Sequence, residues 1–174
     1  MAALLNLFWD ICLLRKGPQD VPAAAALLQL TLLAYALTGL ATLLVGMPEL
    51  GFGRALLLTL TDLGLLAGLT YLILSVLGLP ARFGQTLTAL TGVGTLLQLI
   101  ALPLGLWYQR ELAAQETGEL PALLWLLLLA WSIAITGHIL RHAFAVSFGM
   151  GILYAVGYLM SAWTLSDWLL PAVG

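Results

Sequence analysis

One acid stands inside a long apolar run. The stretch Arg54–Leu79 reads RALLLTLTDLGLLAGLTYLILSVLGL, with Asp62 as its only carboxylate. Such a side chain is costly where the solvent is lipid, so it must face other helices or a wet cavity. Two kinds of chemistry are open to it. Ionised, it can bind a proton or cation on a transport path. Carrying a proton, it can donate a hydrogen bond and pin two helices together. A proton relay would normally use a second acid or a base, and the sequence supplies neither nearby. Gln98 is the expected partner. Both lie ~12 Å inside their spans at ~1.5 Å per residue. Thr38, Ser132 and Tyr158 fall near the same level, so Asp62, Gln98, Thr38, Ser132 and Tyr158 make a candidate polar layer.

A second candidate is the pair His138 and His142. Four residues apart, they share a helix face, which is metal-ligand spacing. A metal site needs further ligands, and no third His, Cys or acid adjoins them. A heme held by two histidines would need a matching His on another span. No metal or cofactor is therefore expected. The alternative is a cationic turn at headgroup level, with Arg141 on lipid phosphate. Neither a Ser-His-Asp set, a phosphate-binding loop nor a nucleotide fingerprint is present, so a non-enzymatic protein is expected.

These residues sit in a chain of 174 residues that is 62% hydrophobic and 8% charged. Its mean hydropathy is +1.07. A soluble domain of this size exposes too much surface to hide that much apolar side chain. In lipid, backbone polar groups must be satisfied within the segment, which favours helices. Alternating runs of about ten residues, the mark of a membrane barrel, do not recur. A net charge of -2 suggests no nucleic-acid partner. The single Cys12 excludes an internal disulfide and is a candidate for palmitoylation.

The expected fold is all-α: one polytopic membrane domain, 1–174, with five transmembrane helices preceded by a short interfacial amphipathic helix within 1–18. In that first helix Asn6 and Asp10 share a face, Trp9 sits near headgroups, and Arg15 and Lys16 reach lipid phosphates. The basic pair follows the apolar run, so no cleavable signal peptide is expected. The spans fall at about 22–45, 54–79, 85–106, 122–140 and 143–165. The longest polar loop, from Trp107, carries Glu111, Glu116 and Glu119. Arg15, Lys16, Arg82 and Arg141 gather on one side against Arg54 and Arg110 on the other. That bias predicts a cytoplasmic N-terminus and a C-terminus on the far side. Trp107, Tyr108, Trp125, Trp163 and Trp168 then form a one-sided aromatic belt.

Packing cues follow from spacing. Thr88, Thr91, Thr95 and Gln98 form one polar stripe on the third span. Gly64 and Gly68 on the second span, and Ser147, Gly151 and Ala155 on the last, are small-residue seams that admit close helix approach. With Asp62 roughly opposite its glycines, the second span is expected to be central.

From Ala81 to Trp107 the chain reads ARFGQTLTALTGVGTLLQLIALPLGLW. Phe83, Gln85, Thr86 and Leu87, then Leu102-Pro103, then the ILRHAF turn, resemble bacterial Yip1-domain proteins over roughly 81–165. The resemblance implies a five-helix protein of the bacterial inner membrane, with its N-terminus cytoplasmic and its C-terminus periplasmic. It implies no catalytic residue. The expected role is an accessory or scaffold subunit, in contact with lipid and with other membrane subunits or further copies of itself. The alternative is a small proton- or cation-linked transporter subunit using Asp62.

Overall fold

A computed structural model describes residues 2–115 and 117–169. Glu116 and Pro171 lie outside the described residues. The chain forms six helices: α1 (Ala2–Cys12), α2 (Ala25–Gly46), α3 (Gly51–Val76), α4 (Phe83–Ala113), α5 (Glu119–Phe144) and α6 (Phe148–Leu169). Helices α2 to α6 are each long and apolar enough to cross a membrane. The all-α, five-span architecture with a short leading helix is therefore as expected.

Proline punctuates the links. Single 3-10 turns at Pro18–Asp20, Pro48–Leu50 and Pro80–Arg82 each begin with it. Proline suits such a position because its fixed φ is already helical and its missing N–H would go unpaired there anyway. Leu14 closes α1 in a left-handed conformation, and the Arg15 amide returns to the Asp10 carbonyl at 2.9 Å. Ala145 closes α5 in the same way, at φ 56, and the Val146 amide reaches the Arg141 carbonyl at 3.0 Å.

Two boundaries differ from expectation in a way that matters. Helix α4 continues past position 106 to Ala113 and is not stopped by Pro103. Its last turns are held by side-chain hydrogen bonds. The Trp107 indole donates to Glu111 at 2.6 Å, and Gln109 donates to the Gly46 carbonyl. Helix α5 runs through the His138–His142 segment, where a turn was expected. The chain reverses only at Ala145–Ser147, so Ser147 lies before α6 and accepts the Met150 amide at 3.3 Å. Hydropathy marks where the charges begin; it does not mark where backbone hydrogen bonding ends.

The hub of the bundle is α4, not the second span. It packs against α1, α2, α3 and α5. Thr86 to Val93 of α4 are all buried. The reason is side-chain size. Gly92 receives the Phe8 ring of α1, and a Cβ there would lie 2.6 Å from the ring's Cζ. Gly94 receives the Tyr35 ring of α2, where a Cβ would lie 2.8 Å from Cδ2. The Thr91 hydroxyl meets that of Thr31 at 3.0 Å. The threonines also donate to their own helix, Thr88 to the Gly84 carbonyl at 2.7 Å and Thr95 to the Thr91 carbonyl at 2.8 Å.

Helix α1 lays Phe8, Ile11 and Cys12 into the core. Trp9 stays 46% exposed and meets Trp131 edge-on, while the Trp131 indole donates to the Cys12 carbonyl at 3.1 Å. Cys12 is 1% exposed, and burial pushes its thiol up to about 11. That position leaves an acyl-transfer enzyme no access to the sulfur, which removes it as a palmitoylation candidate. The outer faces are apolar, with Leu126, Leu153 and Trp163 all above half exposed. Such a coat suits contact with lipid.

Gly64 and Gly68 have nothing within 4 Å of where a Cβ would stand. Their seam faces outward and takes none of the described helices. Gly64→Ala and Gly68→Ala should therefore leave the thermal midpoint of the purified monomer unchanged or slightly raised, since alanine is the better helix former by about 1 kcal/mol. A marked loss in either variant would mean that a neighbour sits on this face.

Candidate functional site

Asp62 sits on the inward side of α3, half-buried, and both its oxygens are engaged. Tyr35 of α2 donates to Oδ2 at 2.7 Å, and Tyr158 of α6 donates to Oδ1. Three helices thus meet at one carboxylate. The bonds run from hydroxyl to carboxylate, which is the pattern of an acceptor with two oxygens. The expected bond to Gln98 is not made. Gln98 instead accepts from Thr38 of α2, and its amide nitrogen would be 3.2 Å from a Cβ at Gly39. The polar layer therefore divides into two clusters: Asp62 with Tyr35 and Tyr158, and Gln98 with Thr38. Depth alone put Asp62 and Gln98 together. The close α2–α4 contact takes Gln98 first.

Tyr35 was not among the sequence candidates. Tyrosine reads as an apolar ring in hydropathy, and its hydroxyl reaches beyond the level of its own Cα. The signal was present all the same, since Tyr35 shares with Thr31 and Thr38 the face of α2 that meets α4.

Ser132 is half-buried and donates to the Leu129 carbonyl of its own helix at 2.7 Å. It bonds neither cluster directly, but it lines a cavity of about 190 Å³ with Tyr35, Gln98, Thr136 and Tyr158. The remaining wall is aliphatic, including Leu66 and Ile139. This cavity shares Tyr35 and Tyr158 with the Asp62 clasp, and Asp62 itself is not part of its wall.

At the seams, Gly151 and Ala155 of α6 face α5. Ala155 is 3% exposed, and Gly151 rests against Gly137 and Arg141. Among the expected lipid-headgroup residues, Arg15 is exposed, Lys16 pairs with Asp10 at 3.0 Å, and the Arg141 guanidinium lies 5.4 Å from the Phe148 ring centroid. The Lys16–Asp10 pair is the one salt bridge among the described residues.

Each of the two histidines has a ring nitrogen bonded elsewhere, His138 to the Lys16 carbonyl and His142 to Arg141. His138 is buried and its Nε2 bonds the Lys16 carbonyl at 3.0 Å, while His142 stacks edge-on against it at 4.7 Å between centroids. No group of three His, Cys, Asp or Glu side chains that could hold a metal occurs among the described residues. No family model, curated protein or solved structure matches this chain.

Proposed function

We propose that this protein is a non-enzymatic integral membrane protein of Yip1-like build, acting as an accessory or scaffold subunit through its helix faces. The observation that carries this reading is the use made of Asp62. The one intramembrane acid is spent on two tyrosines from separate helices, as a structural clasp. Of the segments on which the Yip1 resemblance rests, the run Phe83 to Pro103 lies in the hub helix, while ILRHAF is the end of α5 and not the turn expected of it. An outward Gly64–Gly68 seam adds support, because small residues on an unoccupied face allow another membrane helix to approach closely. The Lys and Arg distribution favours a cytoplasmic N-terminus with the C-terminus on the far side; the bacterial inner membrane, which makes that far side periplasmic, is what the Yip1 resemblance implies.

The test is isolation at native level with a membrane-permeable crosslinker, followed by identification of what is joined. The reading expects discrete protein partners or a homo-oligomer, lost on Gly64→Leu with Gly68→Leu. An uncrosslinked monomer whose cells are unaltered by those changes would overturn it.

A second reading has its own observation. The cavity beside the clasp, lined by Tyr35, Gln98, Ser132, Thr136 and Tyr158, is roomy enough for several waters at ~30 Å³ each. A proton- or cation-linked transporter subunit would use Asp62 through those tyrosines. It requires that Asp62→Asn abolish function in cells while the protein stays folded.

A further inference from the structure

At the opposite end of α4 from Gln109 lies a pocket of a different kind. It has a volume of about 260 Å³ and is walled by Pro18, Gln19, Arg82, Gln85, Thr86, His142 and Ala143. Most of these side chains are polar, unlike the walls of the cavity beside Asp62. We propose that this pocket binds the phosphate of an anionic lipid headgroup.

The argument begins with Arg82. Its Nη1 donates to the His142 carbonyl at 3.3 Å and to the Ala143 carbonyl at 3.0 Å. Those carbonyls belong to the last turn of α5, which leaves them without helical partners. A guanidinium carries five N–H donors, and this contact occupies the two on Nη1. The group is therefore fixed in place while Nε and Nη2 keep three donors. A planar fork of that kind matches two oxygens of a phosphate. Fixing the side chain in advance removes much of the ordering cost of binding.

The surroundings suit an anion. Arg141 and His142 lie on the adjoining turn of α5, with Arg141 Nε at 3.3 Å from His142 Nε2. Gln85 is anchored to the Val21 carbonyl at 2.7 Å, which holds the Pro18–Asp20 turn over the pocket. One acid borders the pocket without being part of its wall: Asp20 accepts the Gly17 amide at 2.8 Å and the Gln19 side-chain amide at 3.5 Å, which ties up its Oδ2. Lys16 is paired with Asp10, so the positive charge in the wall itself is that of Arg82, with Arg141 beside the wall residue His142.

Position selects a lipid over a soluble phosphate. Gln19 and Arg82 are exposed, at the loop end of helices whose next turns are apolar. That is where a bilayer's headgroups begin. The same end of the bundle carries most of the chain's Lys and Arg, which favours an anionic leaflet.

The proposal depends on the chain lying in a bilayer, and not on the accessory role. The experiment is lipid titration of the purified protein by native mass spectrometry, using phosphatidylglycerol, phosphatidylcholine and inorganic phosphate as probes. The expected result is saturable retention of one phosphatidylglycerol, with phosphatidylcholine held at least tenfold more weakly. Gln19→Glu puts a negative charge at the pocket mouth without touching the Arg82 or Gln85 anchors. It should weaken phosphatidylglycerol binding about tenfold, the order of effect of one like charge at a partly solvated site. Gln19→Ala should leave binding within about twofold. Arg82→Gln should abolish it, but that change also removes the α5 contact, so Gln19→Glu is the deciding variant. Competition by inorganic phosphate at equal potency would overturn the lipid assignment. Equal retention of phosphatidylcholine, or unchanged binding in Gln19→Glu, would overturn the site.

Discussion

Gly151→Ala is expected to separate α5 from α6 and to cost the protein about 1–3 kcal/mol, at the upper end of that range. The added methyl would collide with the Gly137 carbonyl oxygen and stand 3.1 Å from both the Arg141 nitrogen and Cβ. The oxygen and nitrogen are backbone atoms and the Cβ is fixed to the backbone, so none of them has a rotamer to escape into. Facing it, a Cβ at Gly137 would lie 3.0 Å from the Ile152 nitrogen, so the approach is tight from both sides. In a bilayer, lipid tails are as apolar as leucine, and close packing supplies much of what holds helices together. Moving one helix outward therefore loses contact along its whole length. The measurement is the thermal or SDS-unfolding midpoint in a mild detergent, with Gly157→Ala as the comparison. Gly157 has nothing within 4 Å of its would-be Cβ, so that change should be neutral or mildly favourable through helix propensity. Equal midpoints for the two variants would show that α5 and α6 are not in this contact.

What was legible beforehand follows from the same physics. Composition alone required helices in lipid, and runs of apolar residues located five of them. The ends were less legible because they depend on side-chain bonds outside the apolar stretch. Trp107 to Glu111 and Gln109 to Gly46 extend α4. Pairings were least legible. Two helices carried small-residue patterns of the same kind, yet Gly151 is pressed against α5 while Gly64 and Gly68 meet none of the described residues. Spacing tells which residues share a face and leaves open which helix that face meets. The hub was misplaced for a related reason. Asp62 drew attention to α3 by its cost, whereas α4 is central through its small side chains, which carry little weight in a hydropathy reading. Its succession of Thr, Ala and Gly from Thr86 to Gly94 was the available signal.

The Asp62 clasp gives the second large effect. Asp62→Ala removes the acceptor for two tyrosine hydroxyls and leaves both inside the bundle. Interhelical hydrogen bonds in membrane proteins average about 0.6 kcal/mol and reach about 1.7, because the separated helices find other partners. Two such bonds give an expected loss of about 1–3 kcal/mol. Asp62→Asn should lose less than half as much. Its carbonyl still accepts from one tyrosine, and its amide can donate to the oxygen of the other, since a phenol serves both ways. Tyr35→Phe and Tyr158→Phe should each cost about 1 kcal/mol, and each should be almost silent once Asp62→Ala is present. That non-additivity is what a shared contact predicts. The clasp ties α2 to α6 through α3, so its loss should loosen α6 first, visible as faster amide exchange in Phe148–Leu169 than in α4. The series also separates the two functional readings. Under the accessory role, activity in cells follows stability, falling with Asp62→Ala and largely surviving Asp62→Asn. Under ion coupling, Asp62→Asn is as inactive as Asp62→Ala although it folds. If both variants unfold at the wild-type midpoint, the carboxylate is not a clasp and its bonds to Tyr35 and Tyr158 hold nothing together.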